Sequence, residues 1–363
     1  MKKLFLRPMD VWMFRDGRPF DAGSGHRAES LFPPYPSVIQ GAIRTYRMIH
    51  ENIKQEDVEE KLGTAYDYKK LEVRGPFIAK LENENAVRKA VRYYPQPADA
   101  ILEGDSMLKP ASLTDLKTIR DKVRVSNSMP YLIGYEDVLE KSREDTDTGK
   151  KENYKQKELL WISETEFERY KPGSSAVAVP ESELFVREDR FGIGIENNKR
   201  VVKEGMLYEA QFIRPCKDVG LLIEVGGEGY EDFPNGGVMQ IGGESRSAWF
   251  EEVDAKKLPD PQKGTWGYKV YFVTPAYFES GWQTNWSALF GIQVELKAAA
   301  IGRYESMGGF DRASKDNHKP AFRYVPAGSV YYFECKDETK ISQLTDADKF
   351  KQIGFGQVIL KEW

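Results

Sequence analysis

The sequence predicts an α+β chain made of two similar halves. Three observations carry that prediction. An apolar strand is followed by an amphipathic helix near the start; a long alternating stretch around residues 185–213 has the period of a protruding β-hairpin; and both halves close on Gln-Ile-Gly, a glycine-rich turn and a strand. The closing stretches are "QIGGESRSAWFEEV" (240–253) and "QIGFGQVILKEW" (352–363), and their matching places predict two copies of one fold.

The first strand runs from Leu4 to Val11 and gives way to the turn-rich loop "FRDGRPFDAGSGHRAES". In "SLFPPYPSVIQGAIRTYRMI", three prolines stiffen the approach to a helix. Ser37 and Gln40 have the spacing of a capping box, in which the serine hydroxyl accepts from an orphan N–H and the glutamine reaches back. Val38, Ile39, Ala42, Ile43, Tyr46 and Ile49 form the stripe expected on a sheet, with Gln40, Arg44, Arg47 and Glu51 on the opposite face. Gly41 costs roughly 1 kcal/mol against alanine in a helix interior. Either the sheet or a phosphate chain is expected to come close there, sheet packing being the commoner reason.

From Gln55 to Val179 the pattern weakens, and "KSREDTDTGKKENYKQKE" (141–158) reads as a mobile surface loop. Its Asp145 to Gly149 run lacks the glutamate that a calcium loop places at position twelve. The hairpin is expected to turn at Asn197-Asn198. Met206, Tyr208, Ala210 and Phe212 alternate with Leu207, Glu209 and Gln211, so one face should be buried. "GLLIEV" (220–225) is a buried strand. The polar "DAKKLPDPQKG" (254–264) reads as an unpacked linker between an N-terminal domain, 1–253, and a C-terminal domain, 265–363. The first holds a large insertion (about 55–180) and the hairpin (about 185–213). The second restarts with "GYKVYFVTPAYF", then "VELKAAAIGRY" and "GSVYYFEC" as strands, with a basic, glycine-containing segment between them.

At 363 residues, 40% hydrophobic and 12% aromatic, the chain can bury two cores. Two cysteines, Cys216 and Cys335, make no disulfide framework, which predicts a reducing, cytoplasmic setting. Arg7 and Asp10 interrupt the opening apolar run, and no stretch approaches the ~20 apolar residues of a membrane span, so no membrane partner is expected. The net charge of −4 hides an asymmetry: residues 1–50 carry eight Lys/Arg against four Asp/Glu, net +4, which leaves −8 for the other 313. A basic N-terminal surface attracts an anionic partner locally; chance clustering gives the same numbers.

Several chemistries are missing from the sequence. It has no P-loop, no dinucleotide fingerprint and no nucleophile elbow, and His26, His50 and His318 have no zinc spacing with the cysteines. No metal or other cofactor is expected. A catalytic reading rests on His26, near Arg27 and Tyr35, because metal-independent RNA cleavage needs only a general base and acid at a 2′-hydroxyl. The plainer alternative is a histidine that contacts RNA or simply sits in a loop.

What is abundant is glycine beside arginine: "RDGRPF", "GSGHR", "GGESR" and "GGFDR". Backbone N–H groups in such turns and at a helix N-terminus bind phosphate oxygens, and arginine adds bidentate contacts. Phe14, Phe20, Tyr35, Trp249 and Phe310 interleave as stacking surfaces for unpaired bases. Singly each loop is an ordinary turn; four in one chain point to an extended anionic ligand. The expected RNA contacts are Arg15, Arg18, His26 and Arg27 in the first loop, then Ser37, Arg44 and Arg47 on the helix. Arg190, Lys199 and Arg200 follow on the hairpin, and Gly242, Gly243, Arg246, Gly308, Gly309 and Arg312 in the later glycine segments. For the helix the alternative is a solvated face on which Arg47 pairs with Glu51.

Five pieces stand in a telling order: "LRPMDVWMFRDGRPFDAG", "SLFPPYPSVIQGAIR", "RFGIGIENNKRVVKEGMLY", "MQIGGESRSAWFE", and "PAGSVYYFE" with the closing "GFGQVI". Together they resemble the RAMP superfamily of CRISPR-associated proteins, most closely the family that supplies subunit three of the type III-B Cmr effector complex. They cover most of the chain outside about 55–180. The resemblance implies two tandem ferredoxin-like (RRM-like, βαββαβ) domains with insertions and a protruding β-hairpin. It implies a non-catalytic RNA-binding role, anchoring the 5′ handle of the CRISPR RNA. The implied partners are the large polymerase-like subunit and the first backbone RAMP subunit, with target RNA nearby. It also implies that Arg187 to Tyr208 form a thumb-like hairpin across guide and target, and that Gly242-Gly243 and Gly354-Phe355-Gly356 are the family's glycine-rich loops. Repeat-cleaving relatives use a histidine in a comparable early region. That keeps a second class open, a metal-independent endoribonuclease processing CRISPR repeat RNA with His26 and Tyr35 as acid and base. A third class is a scaffold whose glycine loops touch only protein.

Overall fold

The computed structural model describes residues 1–15, 27–64, 67–84, 87–119, 129–140, 158–196, 201–310 and 318–363. Its first strand, β1 (Lys2–Pro8), is an interior strand whose two neighbours both come from far along the chain. The helix α1 (Pro36–His50) follows, then β2 (Glu72–Glu84), β3 (Val87–Pro95), β4 (Leu160–Ser163) and β5 (Ala176–Pro180). The hairpin is β6 (Phe185–Glu196) and β7 (Val201–Pro215); β8 (Val219–Gly226), β9 (Gly236–Gln240) and β10 (Ser247–Glu252) complete this half. All but the hairpin join one sheet in the order β9-β10-β1-β8-β2-β3-β4-β5, extended by Met107–Pro110 and Ala100–Glu103. Every neighbouring pair along that order is antiparallel.

Strand alternation gives this sheet two buried faces. Leu4 and Leu6 join Leu221, Ile223 and Phe250 under α1, whose Ile39, Ala42 and Ile43 are buried there. Burying each isoleucine contributes about 1.5–3 kcal/mol. Phe5 faces the other way, with Ala79, Ala90 and Leu222. The segment expected to be an unpacked linker covers part of that second face. Asp254–Ala255 pairs in parallel with β3, and the Gln262 N–H donates to Leu360 O at 3.0 Å. Val253 and Ala255 supply apolar surface that Phe5 and Leu222 would otherwise leave exposed, which is why this polar stretch packs.

The second half contains β11 (Gly267–Phe272), α2 (Trp286–Phe290), β12 (Val294–Ala300), β13 (Val330–Cys335), α3 (Asp348–Gln352) and β14 (Val358–Lys361). Its sheet order is β12-β13-β11-β14, again antiparallel throughout. The basic segment forms a hairpin, Glu305–Phe310 with His318–Val325, in a separate sheet with Ala276–Tyr277. Among the described residues no helix is long and apolar enough to cross a membrane.

The two halves are joined through buried polar chemistry. Lys269 of β11, 4% exposed, meets the Asp99 carboxylate at 2.5 Å, and Tyr170 and Tyr332 donate to the same carboxylate. Lys361 of β14 donates to the carbonyls of Phe167 and Tyr170, where a short helix (Glu164–Arg169) ends. Burial lowers the Lys269 ammonium despite Asp99, and burial helped by Lys269 brings Lys361 down to about 8.

Candidate nucleic-acid interface

The residues leading into α1 set the geometry of the site. Tyr35 is the N-cap and Pro36 takes the first helical turn, where its missing N–H costs nothing and its fixed φ suits the helix. Ser37 is therefore inside the first turn and is not the cap; no side chain caps this end. Gln40 is buried at 2% exposure rather than solvated, on the helix side from which Arg44 and Arg47 reach Gly63, Thr64 and Tyr230. Ile49 is 56% exposed: the helical period puts it one turn beyond Thr45, at the edge of the stripe that Val38 and Ala42 begin.

That side of the helix lines a groove of about 330 Å³. Val38, Gly41, Ala42 and Thr45 form one wall, and Phe14, Arg15, Gln240, Ile241, Gly242 and Gly243 form the other. A Cβ at Gly41 would meet nothing within 4 Å, so sheet packing does not account for this glycine. The opposite wall is tightly built. Gly242 has φ +85°, and a Cβ there would stand 2.5 Å from Met13 O. The Gly243 N–H donates to the same carbonyl at 2.7 Å, and the Ile241 N–H to Arg246 O at 2.9 Å. Glu244 and Ser245 also have positive φ, which marks a loop held in shape by its anchors. Arg15 is exposed at the rim, bridged through its backbone to Ser30, whose Oγ accepts from the Phe14 N–H at 2.8 Å.

The structure gives the expected arginines definite intramolecular partners. Arg44 donates to the carbonyls of Gly63 and Thr64 at 2.5 and 3.0 Å. Arg47 pairs with Glu51 at 2.5 Å and lies over the Tyr230 ring at 4.5 Å. Arg27 pairs with Asp189 and Glu209 beside the hairpin, at 2.5 and 3.5 Å. Gly308 and Gly309 sit in a strand rather than a loop, opposite Lys319. Tyr35 packs against an aromatic cluster that includes Tyr68, Tyr324 and Phe355. Arg18, His26, Lys199, Arg200 and Arg312, with the Asn197-Asn198 turn and residues 145–149, lie outside the described residues.

The hairpin root brings together what the sequence left apart. Ala210 and Phe212 are buried as expected, but so is Gln211, which donates to Asp189 and accepts from Arg187. On the Phe212 face, the Arg190 and Arg246 guanidinium groups lie over that ring at 4.9 and 4.8 Å. Arg214 joins them and was missed; its strand parity with Phe212 was the available signal. Asp10 and Glu188 tie these arginines together. Hydrogen bonds from Arg214 and Arg190 hold Glu188 below the usual carboxylate range; at Asp10 burial pushes upward, and the same two arginines outweigh it.

The second glycine turn has a different setting. Gly354 and Gly356 have φ of +101° and +68°, and a Cβ at Gly354 would stand 2.7 Å from Gly75 O in β2. Thr274 Oγ1 donates to Gly354 O at 2.8 Å, and the Gly75 N–H donates to Gln357 Oε1 at 3.0 Å. This turn is sealed between the halves.

The family described as CRISPR-associated protein (Cas_Cmr3) matches residues 4–363. A relative from Saccharolobus solfataricus, "CRISPR system CMR subunit Cmr3", is 25% identical over 259 residues, 70% of this chain; the match spans 65% of that relative's length, just under two thirds. Two solved structures share the fold. One is of the type III-B Cmr-beta complex bound to cognate target RNA and AMPPnP, at TM-score 0.52 and 19% identity, with 99% of each chain covered. The other is of that complex bound to cognate target RNA, at TM-score 0.51 and 20% identity, covering 98% of this chain and 96% of the other. With a family match running from residue 4 to the last residue, the chain belongs to the Cas_Cmr3 family of CRISPR-associated proteins.

Proposed function

We propose that this chain is a non-catalytic RNA-binding subunit of a type III-B CRISPR effector complex, and that it anchors the 5′ handle of the CRISPR RNA in the groove between α1 and the Gly242-Gly243 turn. The observation that carries the reading is Gly41. A residue that weakens a helix, with open space where its side chain would be, fits a ligand backbone that passes close. Arg15 at the rim supplies charge, and the arginines at the hairpin root extend the cationic path. The large polymerase-like subunit and the first backbone subunit are its partners in this reading, and target RNA runs nearby.

The same reading takes each half as a ferredoxin-like domain. The order β10-β1-β8-β2 with α1 on one face supports it in the first half, and β14-β11-β13-β12 with α2 and α3 supports it in the second. Free Cys216 and Cys335 fit a reducing cytoplasm.

The test mixes 5′-labelled repeat RNA with the protein, alone and with the large subunit, in EDTA, and reads binding and RNA length from the same samples. Retention of handle-bearing RNA without new ends, strengthened by the partner, is the expected result. Metal-independent cleavage that vanishes in His26→Ala would make the chain a processing nuclease. RNA affinity and salt dependence unchanged by Arg15→Glu would leave only a protein scaffold.

A further inference from the structure

Three guanidinium groups converge on one exposed carboxylate at the hairpin root. Arg190 Nη2 and Arg214 Nη2 each lie 3.2 Å from Asp10, and Arg246 Nη1 lies 3.6 Å away. The Asp10 side chain is 48% exposed and that of Arg214 45%. Glu188 braces the cluster from behind, accepting from Arg190 Nε and Arg214 Nε at 2.7 Å each. Phe212 fixes the planes of Arg190 and Arg246. Arg246 belongs to the glycine turn that walls the groove, and its Nε is buried with no hydrogen-bond partner among the described residues.

Exposed to water and salt, such ion pairs are screened and add little to the fold. Its geometry suits a phosphodiester better than a lone carboxylate. Forked guanidinium donors recognise two oxygens of a phosphate in a plane, and three of them on the two carboxylates of Asp10 and Glu188 leave a surplus positive charge and unused donors. We propose that the Arg190–Arg214–Arg246 cluster is a phosphate site on the RNA path, and that Asp10 is an internal stand-in for that phosphate. Asp10 keeps the arginines in register when RNA is absent and lowers affinity by competing for them. The inference rests on the RNA-binding reading above and adds to it a defined site, a residue the sequence did not single out (Arg214), and an inhibitory one (Asp10).

The same labelled RNA, with and without the large subunit, tests it in Asp10→Asn and Arg214→Gln, with thermal melts of each variant. Asp10→Asn keeps the shape and removes the charge. It should bind RNA about three- to tenfold more tightly at low salt, with a dependence of log affinity on log salt steeper by about 0.7. Arg214→Gln should weaken binding and flatten that dependence by a similar amount. Unchanged RNA affinity in Asp10→Asn with an unchanged melt would overturn the proposal, leaving a structural ion network. So would a gain for the large subunit without one for RNA, which would make the occupant a protein. If Asp10→Asn did not fold, unaltered affinity in Arg214→Gln would decide against the site. All these failures leave binding by the parent intact, whereas a parent that binds no RNA in either mixture sinks the functional reading itself.

Discussion

Gly41 and Gly242 stand on opposite walls of one groove, and a methyl group would have opposite effects at the two. At Gly41 it would enter open space; at Gly242 it would strike the Met13 carbonyl at 2.5 Å, on a backbone with φ +85°. Gly41→Ala should therefore stabilise α1 by about 1 kcal/mol and raise the melting temperature slightly, while narrowing the groove and weakening RNA binding about tenfold. Gly242→Ala should lower the melting temperature clearly. Paired melts and RNA titrations check both, and a Gly41→Ala protein that binds RNA as well as the parent would remove the groove from the RNA path.

Arg44 and Arg47 are neighbours on α1 with different work. Arg44 satisfies two carbonyls of the following segment, so Arg44→Ala should cost about 2 kcal/mol. Arg47 holds an i,i+4 pair and a ring contact near the surface, and Arg47→Ala should cost about 1 kcal/mol or less. Denaturant unfolding distinguishes the two, and a larger loss at Arg47 would contradict the assignment.

The buried Asp99–Lys269 contact ties the halves together. Asp99→Asn leaves a buried ammonium without its counter-charge and should cost about 3–5 kcal/mol. The double variant Asp99→Asn/Lys269→Met should recover much of the loss. A single variant as stable as the parent, by thermal melting, would show that the joint depends on packing alone.

Glu305 faces Tyr324 across its hairpin, and no hydrogen bond or ion pair reaches its carboxylate among the described residues. Burial raises its pKa from 4.5 to about 7. The folded state therefore binds more protons than the unfolded chain between these values, so this group's contribution is fully present below pH 4.5 and lost as pH rises through 7. Glu305→Gln should melt above the parent at pH 8, with the gap closing toward pH 4.5. A constant gap across that range would mean that Glu305 titrates like a solvated carboxylate.

Much of the fold was legible where periodicity is strong. The first strand, the α1 stripe from Val38 to Tyr46, the hairpin and the buried "GLLIEV" strand all follow from patterns of period 2 or 3.6. Less legible was anything fixed by distant partners. Gln40 is buried on the side where Arg44 and Arg47 reach later segments, and 254–264 packs because the second sheet face needs cover. The site divided the same way. Glycine composition pointed to the 242–243 turn, but an identical local signal at 354–356 marks a joint between halves. Arg214 was missed because its neighbours Asp10 and Arg246 arrive from elsewhere in the sequence.

The late completion of the first strand has a consequence for synthesis. Lys2 meets Asn235, 233 residues along the chain, and Leu4 pairs with Ile223 and Glu252. At about 5–20 residues per second on the ribosome, Leu4, Phe5 and Leu6 wait on the order of ten seconds to a minute for their neighbours. During that time the nascent chain presents an apolar, unpaired strand to the cell. Production of this protein should therefore depend on chaperones that hold the emerging strand, and slowing translation should lower its yield more than that of proteins whose strands pair locally.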